Sequence, residues 1–307
     1  MTSDATVKLF FCVDAGGSRS RARVIDAEGH FLAEAASGPC NPATMFDQAV
    51  QSIRDLWQQC AAAIGRKPSE SIDIAFAIGA AGTYLHGRDQ FIATCPHFAS
   101  VSAMSDGYAA LIGAGGGEPC SLLIIGTGVA GHRLYPNGLS IQRDAWGWIA
   151  GDRGSGSWMG QRALRHFFAA LDGIIPEDGL TQAVRDAIGG PQAIRDGWMR
   201  DLGPSKLASF APHVLAQADA GVVAAVRIRD RALEHLAALI GVISDESTPL
   251  YAAGGLVEPL GKRLSEKAGV KILERKSDAV TGCWLVARGR APEERVLLFG
   301  ETMGRTS

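Results

Sequence analysis

Apolar runs, glycine turns and amphipathic stretches follow one another along the chain in an order that occurs twice. The first copy starts with the apolar run 9–13, which a glycine turn separates from an alternating stretch at 21–26. The second copy starts with the apolar run 122–125, where another glycine turn leads into an extended stretch. Continuous apolar runs are typical of fully buried strands, and alternation is typical of half-buried ones. Each copy therefore predicts the order strand, glycine turn, strand, strand, helix, strand, helix.

The same patterns locate the individual elements. In the first copy we expect strands at 9–13, 21–26, 30–37, 72–78 and 101–104, and helices at 46–64 and 106–113. In the second copy we expect strands at 122–125, 132–135, 139–142, 250–253 and 270–273, and helices at 160–171, 222–243, 257–268 and 277–288. The polar region 180–221 is expected to be helical in pieces, and the tail after residue 290 has no clear pattern.

A duplicated α/β pattern predicts two similar domains that face each other across a central cleft. The glycines at 115–117 favour a boundary at that point. This gives an N-terminal domain over 1–117 and a C-terminal domain over 118–307. The segment with the last helix, 277–290, either stays with the second domain or packs back on the first.

The composition indicates a globular protein and narrows its partners. The chain has 307 residues, of which 47% are hydrophobic and 20% charged, and its net charge is −2. Because neither the total nor any local run is basic, we expect no nucleic-acid partner and no membrane surface. No stretch approaches the roughly 18 apolar residues of a membrane span, and the first residues, MTSDATVK, do not resemble a signal peptide. The six cysteines form no CxxC pair, which favours free buried thiols and a cytoplasmic location.

The glycine turns after the first strand of each copy are candidate phosphate-binding loops. They read DAGGS at 14–18 and GTG at 126–128. Successive backbone N–H groups are exposed in such a turn, and no side chain keeps an anion at a distance. Either turn alone could be a tight hairpin, but their equivalent positions favour phosphate. Asp14 at the strand end suits a magnesium ion, and Ser18 and Thr127 offer hydroxyl donors.

Asp106 is a candidate general base. It follows a predicted strand and begins a predicted helix in the segment SAMSDGYAAL. An aspartate at this position is either the N-cap of the helix or a free carboxylate that accepts a proton from a hydroxyl group. Ser105 could cap the helix equally well, which would leave Asp106 available.

Two further segments carry candidate ligand contacts. The first, WGWIAGDRGSGSWMGQRAL at 146–164, has three tryptophans that could form a platform for a sugar ring, although we favour a place in the core. The second, LYAAGGL at 250–256, has two glycines on which an adenosine ring could lie flat. Asn41, in the loop 39–42, is either a hydroxyl-binding side chain or a simple turn residue.

Taken together, these segments resemble the sugar-kinase, actin and Hsp70 ATPase superfamily. More narrowly, they resemble the BadF/BadG/BcrA/BcrD-type ATPases, which include N-acetylglucosamine kinase and bacterial glucosamine kinase. The resemblance is carried, over about residues 10 to 256, by DAGGSRSRARVID, SDGYAALIGA, LLIIGTGVAGHRL, WGWIAGDRGSGSWMGQRAL and LYAAGGL. It implies an α/β fold of two duplicated actin-like (ribonuclease H-like) ATPase domains around a central cleft.

The resemblance also implies an activity and a set of site residues. It implies an ATP-dependent kinase that uses Mg²⁺ and phosphorylates the 6-hydroxyl of N-acetylglucosamine or glucosamine. Asp106 would be the catalytic base, and Asp14 would hold the metal. The implied binding residues are Asn41, Gly151 and Asp152 for the sugar, Gly16, Gly17, Ser18, Gly126, Thr127 and Gly128 for the phosphates, and Gly254 and Gly255 for the nucleotide. Relatives often form homodimers, and the apolar face of the helix at 222–243 would serve a dimer or, as we favour, the core.

Several residues depart from the pattern of these relatives. Ala15 and Ser18 stand in a turn that usually reads DGGGT, Val129 replaces the serine of GTGS, and Arg153 replaces the glutamate of GDEGS. Val129 removes a hydroxyl near the phosphates, and Arg153 reverses a charge beside the sugar, so the acceptor stays open. One alternative is a degenerate kinase fold that senses a sugar or a nucleotide. A less favoured one is an ATPase activator of a dehydratase, which would hold an iron–sulfur cluster with cysteines.

Overall fold

Two five-stranded sheets form the framework of the protein. The computed structural model describes residues 8–16, 19–42, 45–81, 93 and 98–297. The first sheet has the strand order β3-β2-β1-β4-β5. Its strands are β1 (Leu9–Ala15), β2 (Ser20–Asp26), β3 (Phe31–Ser37), β4 (Ile74–Ala80) and β5 (Ser100–Ser105).

The second sheet repeats the strand order of the first. Its strands are β6 (Cys120–Ile125), β7 (Val129–Leu134), β8 (Ser140–Asp144), β9 (Leu250–Ala253) and β10 (Ile272–Leu273). The order across this sheet is β10-β9-β6-β7-β8. When each strand is matched with its counterpart in chain order, the two sheets have the same topology. The duplicated α/β pattern predicted from the sequence is therefore confirmed.

Helices connect and cover the strands. In the described residues they are α1 (Phe46–Ala63), α2 (Asp106–Gly115), α3 (Gly147–Ala150), α4 (Gly156–Leu171), α5 (Gly179–Ile188), α6 (Gly190–Arg195), α7 (Pro204–Ala208), α8 (Ala211–Asp219), α9 (Val223–Ile243), α10 (Val257–Ala268) and α11 (Ala279–Ala287). The short α3 was not predicted. The helix α4 begins before its predicted start because Ser155 caps it, accepting a hydrogen bond from the Trp158 N–H. None of these helices combines the length and apolar composition that crossing a bilayer requires.

The chain divides into two compact units. Unit 1 takes the described residues within 1–121, 132–141 and 274–307, and unit 2 takes those within 122–131 and 142–273. The segment that contains α11 belongs to unit 1, where it packs against α2, β1 and β4. The domain boundary at residue 117 stays a prediction, because this division groups contacts rather than separately folding domains.

In unit 1, alternate residues of β1 face opposite sides of the first sheet, as strand geometry requires. Phe11 and Val13 lie in a buried core with Trp57 of α1. On the other side, the ring of Phe10 meets the ring of Trp284 in α11 edge-on, with centroids 6.5 Å apart. Each fully buried side chain of this size contributes roughly 1.5–3 kcal/mol to stability, so these contacts fix both helices on the sheet.

Two glycines allow close packing of the last helix in unit 1. A Cβ on Gly282 of α11 would lie 1.9 Å from the carbonyl oxygen of Ala109 in α2. A Cβ on Gly113 of α2 would lie 2.1 Å from the carbonyl oxygen of Asp278. Since backbone atoms cannot yield to such a contact, both positions require glycine.

The tail after residue 290, for which the sequence predicts no structure, completes unit 1. The Ser140 N–H donates to the Arg295 carbonyl at 2.8 Å, and the Leu297 N–H donates to the Ser140 carbonyl at 2.9 Å. Glu294 reaches the start of α2, where its carboxylate accepts hydrogen bonds from the N–H of Ser105 at 2.8 Å and from the hydroxyl of Ser105 at 2.5 Å. The Tyr108 hydroxyl donates to the Pro292 carbonyl at 2.9 Å. The tail therefore anchors the first turn of α2.

In unit 2, β6 and two long helices share a core. Leu123 and Ile125 of β6 are buried together with Phe167 of α4 and with Leu236 and Ile240 of α9. The apolar face of α9 thus packs in the core of its own unit, which is the alternative favoured from the sequence.

His132 of β7 is a buried imidazole in unit 1. Its side chain occupies the space that a side chain at Gly107 would take, because a Cβ there would lie 2.4 Å from Cε1 and Nε2 of the ring. Burial lowers the pKa of His132 from 6.5 to about 4. The ring is therefore neutral in the folded protein at neutral pH.

Exchange of Glu294 for alanine is expected to lower the free energy of unfolding by roughly 1–3 kcal/mol, because two donors of Ser105 lose their partner in a mostly buried place. Denaturant unfolding followed by circular dichroism measures this change. The matched control is Glu293→Ala, since that neighbouring side chain is exposed and should change stability by no more than about 0.5 kcal/mol. Equal losses in the two variants would contradict this account of the tail.

The stability of the protein is expected to fall as the pH drops from about 6.5 to about 4. In this window the unfolded chain binds a proton at residue 132 and the folded chain does not. The stabilisation that comes from the neutral His132 ring is therefore fully present above pH 6.5 and is lost below about pH 4. Its size is on the order of 3 kcal/mol. Denaturant unfolding at several pH values across this window should show that the unfolding free energy of His132→Gln depends less steeply on pH than that of the wild type. An unchanged slope in His132→Gln would show that other groups cause the acid loss.

Candidate functional site

The carboxyl ends of three parallel strands meet at one edge of the first sheet. Both β1 and β5 run parallel to β4, so Ala15, Ala80 and Ser105 lie at one level. Asp14 comes just before that level on β1, and Asp106 comes just after it, at the start of α2. The two carboxylates singled out from the sequence therefore lie at the same edge of unit 1.

Asp106 opens α2 but does not cap it. Ser105 is the N-cap, and its Oγ accepts a hydrogen bond from the Tyr108 N–H at 3.1 Å. One oxygen of Asp106, Oδ1, accepts from the Gly107 N–H at 2.8 Å. The other oxygen, Oδ2, makes no hydrogen bond to any part of the chain that the structure describes.

The surroundings of Asp106 favour proton uptake. Burial raises the pKa of this carboxyl above its ordinary value, and the negative charge of Asp14 raises it further. The hydrogen bond from Gly107 acts in the opposite direction and only reduces the rise. A carboxylate with a raised pKa and one uncommitted oxygen is suited to accept the proton of a hydroxyl group.

Asp14 forms an ion pair with an arginine of β2. Arg21 Nη2 lies 3.1 Å from Asp14 Oδ2. Arg21 and Arg23 also approach Asp278, at 3.9 and 2.7 Å, and Asp278 caps α11. The Oδ1 atom of Asp14 has no hydrogen-bond partner within the described ranges, and the side chain is 25% exposed. This oxygen is therefore available to a cation or to water bound to one.

The first glycine turn is described in part. The Gly16 N–H donates to the Arg19 carbonyl at 3.1 Å, and the Cys40 N–H donates to the Gly16 carbonyl at 3.0 Å. Gly17 and Ser18, two of the predicted phosphate contacts, lie outside the described residues. Asn41 is half-buried and follows Cys40, the residue that bonds to Gly16. Its carbonyl group accepts a hydrogen bond from the Met45 N–H at 2.9 Å. Its predicted contact with sugar stays a prediction.

The second glycine turn, which we call the phosphate turn (residues 126–129), is fixed by its neighbours in unit 2. The Gly126 N–H bonds the Gly128 carbonyl at 2.9 Å. The first turn of α4 donates two further hydrogen bonds, from the Gly156 N–H to the Gly126 carbonyl at 2.8 Å and from the Ser157 N–H to the Thr127 carbonyl at 3.1 Å. The carbonyl groups of Gly126, Thr127 and Gly128 are therefore all committed.

Two amides of the phosphate turn remain available. Neither the Thr127 N–H nor the Gly128 N–H has a hydrogen-bond partner among the residues that the structure covers. Thr127 is exposed, and a Cβ on Gly126 would meet no atom within 4 Å. Two adjacent, accessible amides in a rigid turn form a concavity that binds an anion such as phosphate.

Asp152 supports the phosphate turn. Its carboxylate is largely buried, and Oδ1 accepts a hydrogen bond from the Val129 N–H at 3.0 Å. A Cβ on Gly128 would lie 2.9 Å from both carboxylate oxygens, so a side chain at this position would displace the Asp152 carboxylate. Burial, followed by the charge of Asp144, raises the pKa of Asp152, and the hydrogen bond from Val129 opposes the rise.

Asp144 is a residue of this site that no sequence pattern had indicated. This carboxylate is only 5% exposed, and its Oδ1 accepts a hydrogen bond from the Asp152 N–H at 2.8 Å. Arg153 Nε lies 3.6 Å from Asp144 Oδ2. Gly151, a predicted sugar contact, lies against the same carboxylate, because a Cβ there would be 2.6 Å from Asp144 Oδ1. No local pattern marks Asp144, since it is recognisable only from these contacts.

The segment around Asp144 has a strained backbone. Asp144, Ala145 and Asp152 have φ angles of 58°, 62° and 52°, and among the described residues no other non-glycine residue has a positive φ. This conformation costs on the order of 1–3 kcal/mol for each residue and persists only where the surroundings enforce it. Such strain is typical of functional segments.

The glycines after β9 have different surroundings. Gly254 has a φ of 101°, and a Cβ there would lie 2.2 Å from the Ile125 carbonyl oxygen, so glycine is required for the close approach to β6. Gly255 is exposed, and a Cβ there would meet no atom within 4 Å. The second glycine therefore leaves an open backbone surface beside the end of β6.

A magnesium ion with few protein ligands fits this donor set. No group of three or more His, Cys, Asp or Glu side chains in the described part of the chain could enclose a metal ion. Magnesium at phosphoryl-transfer sites usually has one or two carboxylates as ligands and takes the rest from phosphate and water. The uncommitted Oδ1 of Asp14 meets this requirement.

Proteins of known sequence or structure resemble this chain along most of its length. Glucosamine kinase GspK of Vibrio cholerae is 26% identical over 277 residues, which cover 90% of this chain and 94% of that protein. N-acetyl-D-glucosamine kinase of Dictyostelium discoideum is 24% identical over 299 residues, covering 89% and 92%. A solved structure from Chromobacterium violaceum, assigned as an N-acetylglucosamine kinase, has a TM-score of 0.81 and 29% identity, with 92% of this chain and 99% of that chain covered. This likeness confirms the predicted class of two actin-like ATPase domains.

The sequence model of one protein family matches residues 12–274, which extend from within β1 to the end of β10. The matched range includes the two glycine turns, the start of α2 and the segment around Asp152. The resemblance seen in the sequence is thereby confirmed, and the chain belongs to the BadF/BadG/BcrA/BcrD ATPase family.

Proposed function

We propose that this protein is an ATP-dependent amino-sugar kinase that transfers the γ-phosphoryl group to the 6-hydroxyl of glucosamine or N-acetylglucosamine. The observation that carries the proposal is the half-buried carboxylate of Asp106, which has one uncommitted oxygen and a raised pKa beside Asp14. Relatives named as glucosamine and N-acetylglucosamine kinases, aligned along most of the chain, support the choice of acceptor.

The chemistry assigned to Asp106 is general base catalysis. Its free oxygen accepts the proton of the acceptor hydroxyl while that oxygen forms a bond to the γ-phosphorus. The bond between the γ-phosphorus and the β–γ bridging oxygen breaks, and ADP leaves. Because little covalent chemistry falls to the protein in phosphoryl transfer, positioning and charge neutralisation supply most of the rate.

The remaining proposed residues bind and orient the substrates. The amides of Thr127 and Gly128 bind phosphate oxygens of ATP, and Gly16, Gly17, Ser18 and Gly126 are proposed as further contacts. Gly254 and Gly255 line the nucleotide. Mg²⁺ held at Asp14 supplies neutralisation of the phosphate charge. Asn41 and Gly151 bind sugar hydroxyls, together with the oxygen of Asp152 that does not accept from Val129.

A sensor that binds sugar without transferring phosphate is the alternative outcome. The reason for considering this alternative is the presence of Val129 and Arg153, the two departures from the family pattern noted in the sequence. The structure gives Val129 a place in the core of unit 2 and gives Arg153 a carboxylate partner, so both have a structural reason. The dehydratase-activator alternative gains no support, because the five described cysteines are all buried.

The Asp106→Asn variant is expected to lose about 10²–10⁴-fold in kcat, because the amide cannot accept the proton. A coupled assay of ADP release against a panel of hexoses and amino sugars measures it. In the wild type, the acid limb of the pH profile should lie above the ordinary range of an aspartate, because the base must be ionised and its pKa is raised.

Asp47→Asn is the matched control, since Asp47 is an exposed acidic residue in the first turn of α1. It should keep the activity and the pH profile of the wild type. Full turnover in Asp106→Asn, or sugar binding by calorimetry without any turnover in the wild type, would remove the kinase proposal.

The Gly126→Ala variant is expected to raise the KM for ATP about tenfold or more, because the added methyl occupies space next to the bound phosphates. Thermal unfolding should be unchanged, since a Cβ at this position meets no protein atom within 4 Å. Gly203→Ala is the control, as a loop glycine with equally open surroundings. A wild-type KM for ATP in Gly126→Ala would place the nucleotide phosphates elsewhere.

A further inference from the structure

The phosphate turn has its last residue fixed from two directions. The Val129 N–H donates to Asp152 Oδ1 at 3.0 Å. The Val129 carbonyl accepts a hydrogen bond from the Ala145 N–H, also at 3.0 Å. Both partners come from the segment 144–153, so this segment determines where the turn joins β7.

Asp144 determines the conformation of that segment. Its buried carboxylate accepts the Asp152 N–H at 2.8 Å, which closes a loop between the end of β8 and the residue that binds Val129. Asp144 and Ala145 both have left-handed backbone angles, and so does Asp152 at the other end of the closed loop. Three such residues in so short a segment show that the surrounding contacts enforce one conformation.

Arg153 places a positive charge beside the two acidic residues of this segment. Two carboxylates, those of Asp144 and Asp152, lie near each other with little exposure to water. The guanidinium of Arg153, with Nε 3.6 Å from Asp144 Oδ2, offsets part of their repulsion. The positive charge that follows Asp152 in the sequence is thus placed beside a carboxylate of the same segment.

We propose that Asp144 is a positioning residue for the phosphate turn: by accepting the Asp152 N–H it aims the Asp152 carboxylate at Val129, and so holds the free amides of Thr127 and Gly128 in place for nucleotide phosphate. This proposal rests on the proposed function for the identity of the ligand. It assigns no contact with the ligand to Asp144 itself.

Three exchanges at residue 144 separate the hydrogen bond from the backbone strain. Asparagine keeps an acceptor oxygen and tolerates the left-handed conformation, whereas glycine adopts that conformation freely but has no acceptor. Alanine lacks the acceptor and keeps the strain. Affinity for ADP and for a non-hydrolysable ATP analogue, measured by calorimetry with Mg²⁺, is the main readout, and KM values for ATP and sugar are the second.

We expect Asp144→Asn to bind nucleotide within about threefold of the wild type and Asp144→Gly to bind about tenfold more weakly, the size expected when one hydrogen bond to a charged group is lost. Asp144→Ala should be at least as weak as Asp144→Gly. The KM for the sugar is expected to rise as well in Asp144→Gly and Asp144→Ala, because the proposed sugar contacts Gly151 and Asp152 lie against the same carboxylate. Asp245→Gly is the control, because Asp245 also organises a turn in unit 2 through its carboxylate and should leave nucleotide affinity unchanged.

Wild-type nucleotide affinity in Asp144→Gly would overturn the proposal. A tenfold loss in Asp144→Asn would also overturn it, because charge rather than the hydrogen bond would then be responsible. If Asp144→Gly does not fold, Asp144→Ser, whose side chain is one atom shorter to its oxygen, replaces it with the same expectation. Calorimetry tests the positioning even if no sugar is phosphorylated, so failure of the kinase proposal is recognised separately.

Discussion

An amide can bind an anion only if it has no other partner and if the backbone around it cannot move to supply one. The phosphate turn meets both conditions. Its carbonyl groups accept hydrogen bonds from Gly126, Ala145 and the first turn of α4, and the amides of Gly126 and Val129 donate within unit 2. In the described chain this leaves the amides of Thr127 and Gly128, which are adjacent and fixed. The nucleotide chemistry that we propose depends on this division between committed and uncommitted groups.

The two copies of the strand pattern have the same topology, but they place different chemical groups at the candidate site. The first copy brings carboxylates to its sheet edge, at Asp14 and Asp106, and the second brings amides to its turn. A carboxylate close to the amides of Thr127 and Gly128 would repel a phosphate, so acidic groups in unit 2 must be neutralised or turned away. Asp152 and Asp144 satisfy this requirement by accepting hydrogen bonds from the backbone and, for Asp144, by the charge of Arg153.

Much of the framework could be predicted from the sequence, because local patterns determine it. The apolar runs indicated the strands, and the Ser105–Asp106 pair indicated the start of a helix. The sequence left open which of the two residues caps that helix, and the structure shows that Ser105 does. Asp144, Glu294 and His132 could not be recognised, because their partners lie 8, 189 and 25 positions away and no spacing rule connects them. The strain at Asp144 and Ala145 is likewise enforced by tertiary contacts, which override the usual preference of non-glycine residues.

Unit 1 is discontinuous, and this has a consequence for how the chain acquires its structure during synthesis. The strands β1, β4 and β5 leave the ribosome early, but α11 and Glu294, which cover them and anchor α2, follow only after all of unit 2. The apolar surface that Trp284 covers on β1 therefore has to wait for more than two hundred intervening residues. A nascent chain of this topology depends on fast folding of unit 2, or on a chaperone, because the exposed apolar surface could otherwise aggregate before translation ends.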